Sequence, residues 1–168
     1  MKFVLATKNR YLECGLTALL KREKVVIART FFLPENRRYI PEYDESWLII
    51  CDANLERLMR CMFHGRKFFQ IDAESVTGLK DIQNAKHSCM REHSSTARVL
   101  TMSEMVVMFG YIYRQSRPCR LASEMGVNTK TVNTFLYTGM AKNGLQGKSV
   151  KHLVGGSVGE HVDQYHIK

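Results

Sequence analysis

Residues 128–142 concentrate side chains that could hydrogen-bond to a nucleic acid. Asparagine can bridge the edge of adenine, threonine can contact a thymine methyl group, and lysine can bind a phosphate. At helical spacing, Val132, Phe135 and Leu136 share an inner face, which leaves the polar side chains outside. The residues that we expect to contact DNA are Asn128, Thr129, Lys130, Thr131, Asn133, Thr134, Tyr137 and Lys142.

These residues suggest two kinds of contact. Asn133 and Thr134 suit base edges, whereas Lys130, Thr131 and Lys142 are better suited to phosphates. The alternative interpretation is that this surface is the solvated face of a helical bundle and binds no nucleic acid.

The surrounding sequence predicts the elements that would position this segment. Thr101 and Glu104 have the spacing of a capping box, which starts a first helix. Pro118 suits the first turn of a second helix, and Gly126 can adopt the left-handed backbone that ends it. Asn128 then caps the third helix. Two helices joined by so tight a turn form a helix-turn-helix unit, whose second helix can enter the major groove.

Residues 100–155 also resemble, in order and spacing, the DNA-binding domain of LuxR/FixJ-type (NarL-like) transcription regulators. The matching residues are Leu100-Thr101, Glu104, Val107-Met108, Leu121-Ala122, Gly126-Val127-Asn128, Lys130-Thr131-Val132, Lys142 and Gly144-Leu145. Departures include Asn133, where the family has lysine, and Gly139, which weakens a helix by about 1 kcal/mol relative to alanine. The resemblance implies an all-α, four-helix helix-turn-helix domain that binds promoter DNA.

The fourth helix of this domain is expected within residues 147–154, where Val150, Leu153 and Val154 are apolar. In the family that the sequence resembles, this helix is the usual dimer surface. The resemblance therefore implies a homodimer or a heterodimer with a related regulator.

The first half of the chain alternates apolar runs with amphipathic segments. The apolar runs occupy residues 3–6, 25–28, 47–51 and 68–71. Most of them are apolar throughout, which is typical of parallel strands covered on both faces. Apolar residues at helical spacing predict helices near residues 12–20, 55–62 and 75–89, with Asn54 as the cap of the second. This alternation predicts an open α/β sheet.

The order of these elements resembles the receiver domain of response regulators. Asp52, after the third strand, lies where that family has its phospho-accepting aspartate. A receiver also holds Mg²⁺ with acidic residues after the first strand, and here that position reads Thr7-Lys8-Asn9. The resemblance therefore implies a truncated, receiver-like parallel sheet without phosphotransfer. Lys8 could pair with Asp52 in place of the metal, or Asp52 could merely cap the following helix.

Elsewhere the sequence has no spacing typical of catalysis or ligand binding. The six histidines and five cysteines show no metal-ligand pattern, and neither a nucleophile elbow nor a phosphate-binding glycine loop occurs. Widely spaced cysteines, odd in number, predict reduced thiols in the cytoplasm. The apolar runs are too short for a membrane span, and the start of the chain does not resemble a signal peptide. We therefore expect a cytoplasmic protein without enzymatic activity, metal or cofactor.

The basic residues favour a polyanionic partner. The 168 residues include 25 Lys and Arg and 16 Asp and Glu, for a net charge of +9. Residues 100–152 contain seven basic and two acidic residues and therefore carry +5 of it. We expect a receiver-like α/β domain at 1–86, a linker at 87–99, the helix-turn-helix domain at 100–155 and a flexible tail at 156–168.

Together these patterns predict a bacterial transcription regulator that binds double-stranded DNA independently of phosphorylation. The rival interpretation is an adaptor, an auxiliary subunit that binds another regulator and has little DNA affinity alone. Asn133 and Gly139 favour the adaptor somewhat, whereas the positive charge of residues 100–152 favours direct DNA binding.

Overall fold

The computed structural model describes residues 1–42, 44–89 and 98–154, in which four strands form one parallel sheet. The strands are β1 (Lys2–Ala6), β2 (Lys24–Ile27), β3 (Ser46–Cys51) and β4 (Lys67–Asp72). Their order is β2-β1-β3-β4, the order of the first four strands in one common doubly wound α/β fold. The predicted parallel sheet is thereby confirmed.

Seven α-helices lie in the described residues. They are α1 (Arg10–Leu19), α2 (Ala28–Phe31), α3 (Glu56–Met62), α4 (Leu79–Cys89), α5 (Met102–Ile112), α6 (Pro118–Met125) and α7 (Thr129–Lys142). Short 3-10 turns occupy Pro34–Asn36, Ala53–Leu55, Ala73–Ser75 and Val150–Leu153. Helices and parallel strands therefore alternate through the first half of the chain, and helices follow in the second.

Both faces of the sheet are covered, as the apolar strands predict. Successive residues of a strand point to opposite faces. On one face, Phe3 and Ile50 join a hydrophobic cluster with side chains of α1 and α4. On the other face, Val4, Trp47 and Ile49 join a cluster with side chains of α3 and α5.

Helix α5 is buried around most of its circumference. It contacts α3 as well as α6 and α7, and the ring centroid of Phe109 lies 5.4 Å from that of Phe32. Met102 and the run from Met105 to Phe109, which includes the intervening Val106 and Val107, are almost completely excluded from solvent. Because a helix that is apolar all round needs cover all round, α5 is the central element of one cluster that joins the sheet and the later helices.

Polar contacts also join α3 and the turn after it to the later helices. The Arg66 guanidinium donates to the Leu100 carbonyl at 2.8 Å, and burial lowers the pKa of this guanidinium. The Asn143 amide donates to the Cys61 carbonyl at 3.1 Å. The two halves of the chain thus share hydrogen bonds as well as a hydrophobic core.

The expected division of the chain at residues 87–99 falls partly outside the described residues. Residues 87–89 belong to the end of α4, and residues 90–97 lie outside the described part, as does the expected tail at 156–168. The shared core shows that residues 1–86 and 100–154 pack directly on each other in this structure.

Two local predictions were wrong. Asn54 does not cap α3, because it lies inside the Ala53–Leu55 turn and Leu55 occupies the capping position. The expected fourth helix is only the 3-10 turn Val150–Leu153. Gly147 has a φ of 72°, which is incompatible with a right-handed helix, and Ser149 caps the turn that follows.

Candidate functional site

The turn between α6 and α7 has the geometry that its sequence predicts. Gly126 ends α6 with a φ of 68°, a left-handed conformation that glycine adopts without steric cost. The Asn128 side-chain oxygen accepts hydrogen bonds from the Thr131 amide and hydroxyl, both at 2.8 Å. These contacts fix where α7 begins and leave Asn128 and Thr129 exposed.

The inner face of α7 packs on α5 and α6. Val132, Leu136 and Met140 are buried there, and Phe135 is half-buried. Gly139, which sequence reasoning treated as a weakness of the helix, lies at the close approach to α5. A Cβ at this position would lie 2.9 Å from the Met108 sulfur, so the small residue accommodates the packing of α7 on α5.

The outer face of α7 presents polar side chains to solvent. Thr134 donates its hydroxyl to the Lys130 carbonyl at 2.9 Å, whereas the Lys130 ammonium and the Asn133 amide bind no other described residue. Tyr137 is 63% exposed. We call the exposed residues here the front edge of α7; they are Asn128, Thr129, Lys130, Asn133, Thr134 and Tyr137.

Two of the expected DNA-contacting residues lie apart from this edge. Thr131 is half-buried and holds the cap through its hydroxyl. Lys142, in the last turn of α7, donates to both Glu104 carboxylate oxygens at 2.9 Å and to the Val99 carbonyl at 3.1 Å. A phosphate contact by Lys142 stays a prediction, and it would require this buried ion pair to open.

Arginines in the connection from α5 to α6 form a second basic surface, which sequence reasoning counted as charge but did not place. Arg114, Arg117 and Arg120 line a pocket of about 250 Å³. Arg114 and Arg120 both pair with Glu124, at 3.5 Å and 3.0 Å. Two guanidinium nitrogens of Arg114 are buried without a hydrogen-bond partner among the described residues. The spacing of these arginines around Pro118 was the available signal.

Asp52 lies at the carboxyl end of β3, as expected, but makes neither of the contacts proposed for it. Its carboxylate accepts a hydrogen bond from the Lys8 backbone amide at 2.8 Å, and it forms no side-chain cap on the following turn. The Lys8 ammonium instead lies 5.6 Å from the ring centroid of Tyr113. The backbone geometry after β1 therefore brings the amide, and not the ammonium, to the carboxylate.

A small pocket of about 110 Å³ opens beside Asp52 and is also lined by Glu56 and Asp72. The Gln70 amide donates to the Cys51 sulfur and to the Glu56 carbonyl, both at 3.0 Å. Burial raises the pKa of the Cys51 thiol to about 12, so this thiol is protonated at neutral pH and is a poor nucleophile.

No group of three or more His, Cys, Asp or Glu side chains in the described residues is arranged to hold a metal ion. Within the same part of the chain, every helix is too short or too polar to cross a membrane. Cys14 and Cys119 are exposed free thiols.

Comparison with known proteins gave no relative of this chain. Neither a family model, a curated protein nor a solved structure matches it. The resemblance to LuxR/FixJ-type regulators therefore depends on the residues quoted above.

Proposed function

We propose that this chain is a bacterial DNA-binding transcription regulator that reads promoter DNA with α7. The observation that carries the proposal is the division of α7 into two faces. Its inner face is fixed on α5 and α6 by buried apolar side chains, while its front edge is exposed, polar and positively charged at Lys130. A capped helix held in this way can enter a major groove with its N-terminal side chains leading.

The front edge contains two side chains with distinct roles in DNA recognition. Lys130 would bind a phosphate, and Asn133 would bridge the two hydrogen-bonding atoms of adenine in the major groove. The arginines between α5 and α6 add positive charge near the start of α6, and a helix N-terminus favours phosphate. The proposed interface therefore combines a reading helix with a flanking phosphate-binding surface.

The receiver-like sheet would act without phosphorylation. Thr7-Lys8-Asn9 supplies no carboxylate after β1, and the Asp52 carboxylate is already bonded to the Lys8 amide. Acetyl phosphate with Mg²⁺ tests this part of the proposal by mass spectrometry. We expect no added phosphate, and stoichiometric phosphorylation of Asp52 would contradict it.

A homodimer, or a heterodimer with a related regulator, is part of the proposal. The apolar residues expected to form the dimer surface are partly used within the monomer, because Leu153 is buried and Val150 packs against the core. Val154 is 57% exposed and is the apolar side chain of this segment that a second subunit could cover.

The proposal is tested by selecting DNA from a random duplex library and then comparing two variants on the selected sequence. Lys130→Ala should weaken binding to all sequences about equally, whereas Asn133→Ala should relax the preference at one base pair by about 1–3 kcal/mol. Lys21→Ala is the matched control, because Lys21 is an exposed lysine beyond α1, on the opposite side of the sheet from α5. Unchanged binding by both front-edge variants would contradict the proposed roles.

One observation favours the rival adaptor function. Of the two lysines in α7, Lys142 is held by Glu104, so the front edge has a single cation, Lys130. An adaptor of another regulator would bind DNA only when that partner is present, and this dependence distinguishes it from a direct DNA reader.

A further inference from the structure

The strand order of the sheet creates a crevice between β1 and β3. The chain passes from β1 outward to β2 and then returns to β3 on the other side of β1. In open α/β sheets, ligands bind outside the carboxyl ends of the strands at such a switch point. Residues just beyond these two ends, Lys8 after β1 and Asn54 with Leu55 after β3, line a cavity of about 420 Å³ at this position.

The opposite wall of this cavity comes from the helical half of the chain. Ile112 ends α5 and Gln115 follows it, while Ser149 caps the 3-10 turn to which Val150 and Lys151 belong. Gln115 has a φ of 54°, a left-handed conformation that is uncommon for residues other than glycine and is found at functional sites. The cavity is thus lined by both halves of the chain, and its volume lies in the range of small-molecule sites.

The lining of the cavity indicates the charge of its ligand. Two of the described lining residues are lysines, Lys8 and Lys151, and none is acidic. Neither ammonium forms an ion pair within the described residues, and both side chains are exposed. Lys8 is held in place at its backbone by Asp52 and at its ammonium by the Tyr113 ring. Asp52 and Glu56 line the separate pocket beside β4.

The rest of the lining indicates the size and polarity of the ligand. Leu55 is buried, and Ile112 and Val150 are half-buried, which provides an apolar floor. Asn54 and Gln115 at the rim carry amides that can donate to a carboxylate or a phosphate. We propose that this cavity binds a small organic anion, with its charged group between Lys8 and Lys151 and its apolar body on the floor. This proposal does not depend on DNA binding.

Amide chemical shifts of the full chain, measured by NMR with phenyl phosphate and benzoate as probes, test the proposal. Phenyl phosphate and benzoate should each give saturable changes in the amide chemical shifts of residues 8, 54, 112 and 150. Inorganic phosphate has the charged group without an apolar body, and phenol has the apolar body without the charge. Each should bind at least about tenfold more weakly than phenyl phosphate. The absence of saturable shifts at these residues with both organic anions would overturn the proposal.

Lysine variants make the test specific. Lys8→Gln and Lys151→Gln should each weaken the binding of phenyl phosphate by about three- to tenfold, because each removes a charge-assisted contact. Lys148→Gln is the matched control, since Lys148 is exposed and close in sequence but does not line the cavity. Bound phenyl phosphate should also raise the melting temperature of the wild-type chain. Equal affinity in Lys8→Gln, Lys151→Gln and the wild type would overturn the proposal.

Discussion

The Lys142 ammonium lies 2.9 Å from each carboxylate oxygen of Glu104, and both side chains are mostly buried. The same carboxylate accepts a hydrogen bond from the Thr101 backbone amide at 3.3 Å, which completes the capping box of α5. Glu104 therefore starts one helix and holds the end of another. This pair fixes α7 relative to α5, on which the orientation of the front edge depends.

Lys142→Met should lower the free energy of unfolding by about 3 kcal/mol, because it leaves a buried carboxylate without its cation. Adding Glu104→Gln should restore part of this loss, since glutamine can keep the cap without a buried charge. Urea unfolding followed by circular dichroism measures both values. Lys148→Met, at an exposed position, should change stability by less than about 0.5 kcal/mol. Equal effects of the Lys142 and Lys148 variants would show that the ion pair does not stabilise the fold.

Glycine-to-alanine substitutions at two helical positions should have opposite effects. In α5, a Cβ at Gly110 would lie 2.6 Å from the Leu121 Cδ2, so Gly110→Ala should destabilise the chain by about 1–3 kcal/mol through overpacking. In α1, a Cβ at Gly15 meets nothing within 4 Å, so Gly15→Ala should stabilise it by about 0.5–1 kcal/mol. Thermal unfolding compares the two variants. Stabilisation by both would contradict the close packing of α5 on α6.

Two variants of Asn128 distinguish its role as the cap of α7 from a direct contact between its side chain and DNA. Asn128→Ala should cost about 1 kcal/mol of stability, whereas Asn128→Ser should cost only a few tenths, because serine caps as well as asparagine. DNA affinity should follow the same order, since the cap sets the position of the front edge. Equal loss of affinity in both variants would instead indicate that the Asn128 amide itself binds DNA.

Stability should fall at alkaline pH because of a buried thiol. Burial raises the pKa of the Cys51 thiol from 9.0 to about 12. As the pH rises, this thiol therefore loses its proton in the unfolded chain before it does so in the folded chain. The contribution of the protonated thiol is complete below pH 9 and is lost as the pH rises toward 12. Between pH 8 and 10.5, the wild type should lose about 2 kcal/mol more than Cys51→Ala. Cys14→Ala, which removes an exposed thiol, should lose stability as the wild type does; an identical loss in the Cys51 variant would contradict the predicted shift.

The sheet could be predicted from the sequence because its strands are apolar on both faces. Runs such as Leu48-Ile49-Ile50-Cys51 show no alternation, which already indicates cover on both sides. The position of α5 was harder to infer. The capping box at Thr101 and Glu104 predicts where this helix begins, and the apolar run that contains Val106 and Val107 indicates burial all round. The contact of Phe109 with Phe32 joins residues far apart in the chain, and a local pattern contains no information about such a pair.

The candidate site was predictable where it depends on neighbouring residues. The Gly126 turn and the Asn128 cap are local features, and the structure confirms both. The partners of the Lys142 and Lys8 side chains are not local, since Glu104 and Tyr113 are distant from them in sequence. The sequence suggested a phosphate contact for Lys142 and a pairing with Asp52 for Lys8, whereas the fold directs the Lys142 ammonium to Glu104 and places the Lys8 ammonium over the Tyr113 ring.

The salt dependence of DNA binding tests the central claim most directly. For the wild-type chain alone, the logarithm of the association constant with its selected duplex should fall linearly with the logarithm of the salt concentration. Lys130→Ala should reduce the magnitude of this slope by about one, while Lys21→Ala leaves it unchanged. Fluorescence anisotropy measures all three chains under identical conditions. DNA binding only in the presence of a second regulator, or the same slope for Lys130→Ala and the wild type, would contradict direct recognition by α7.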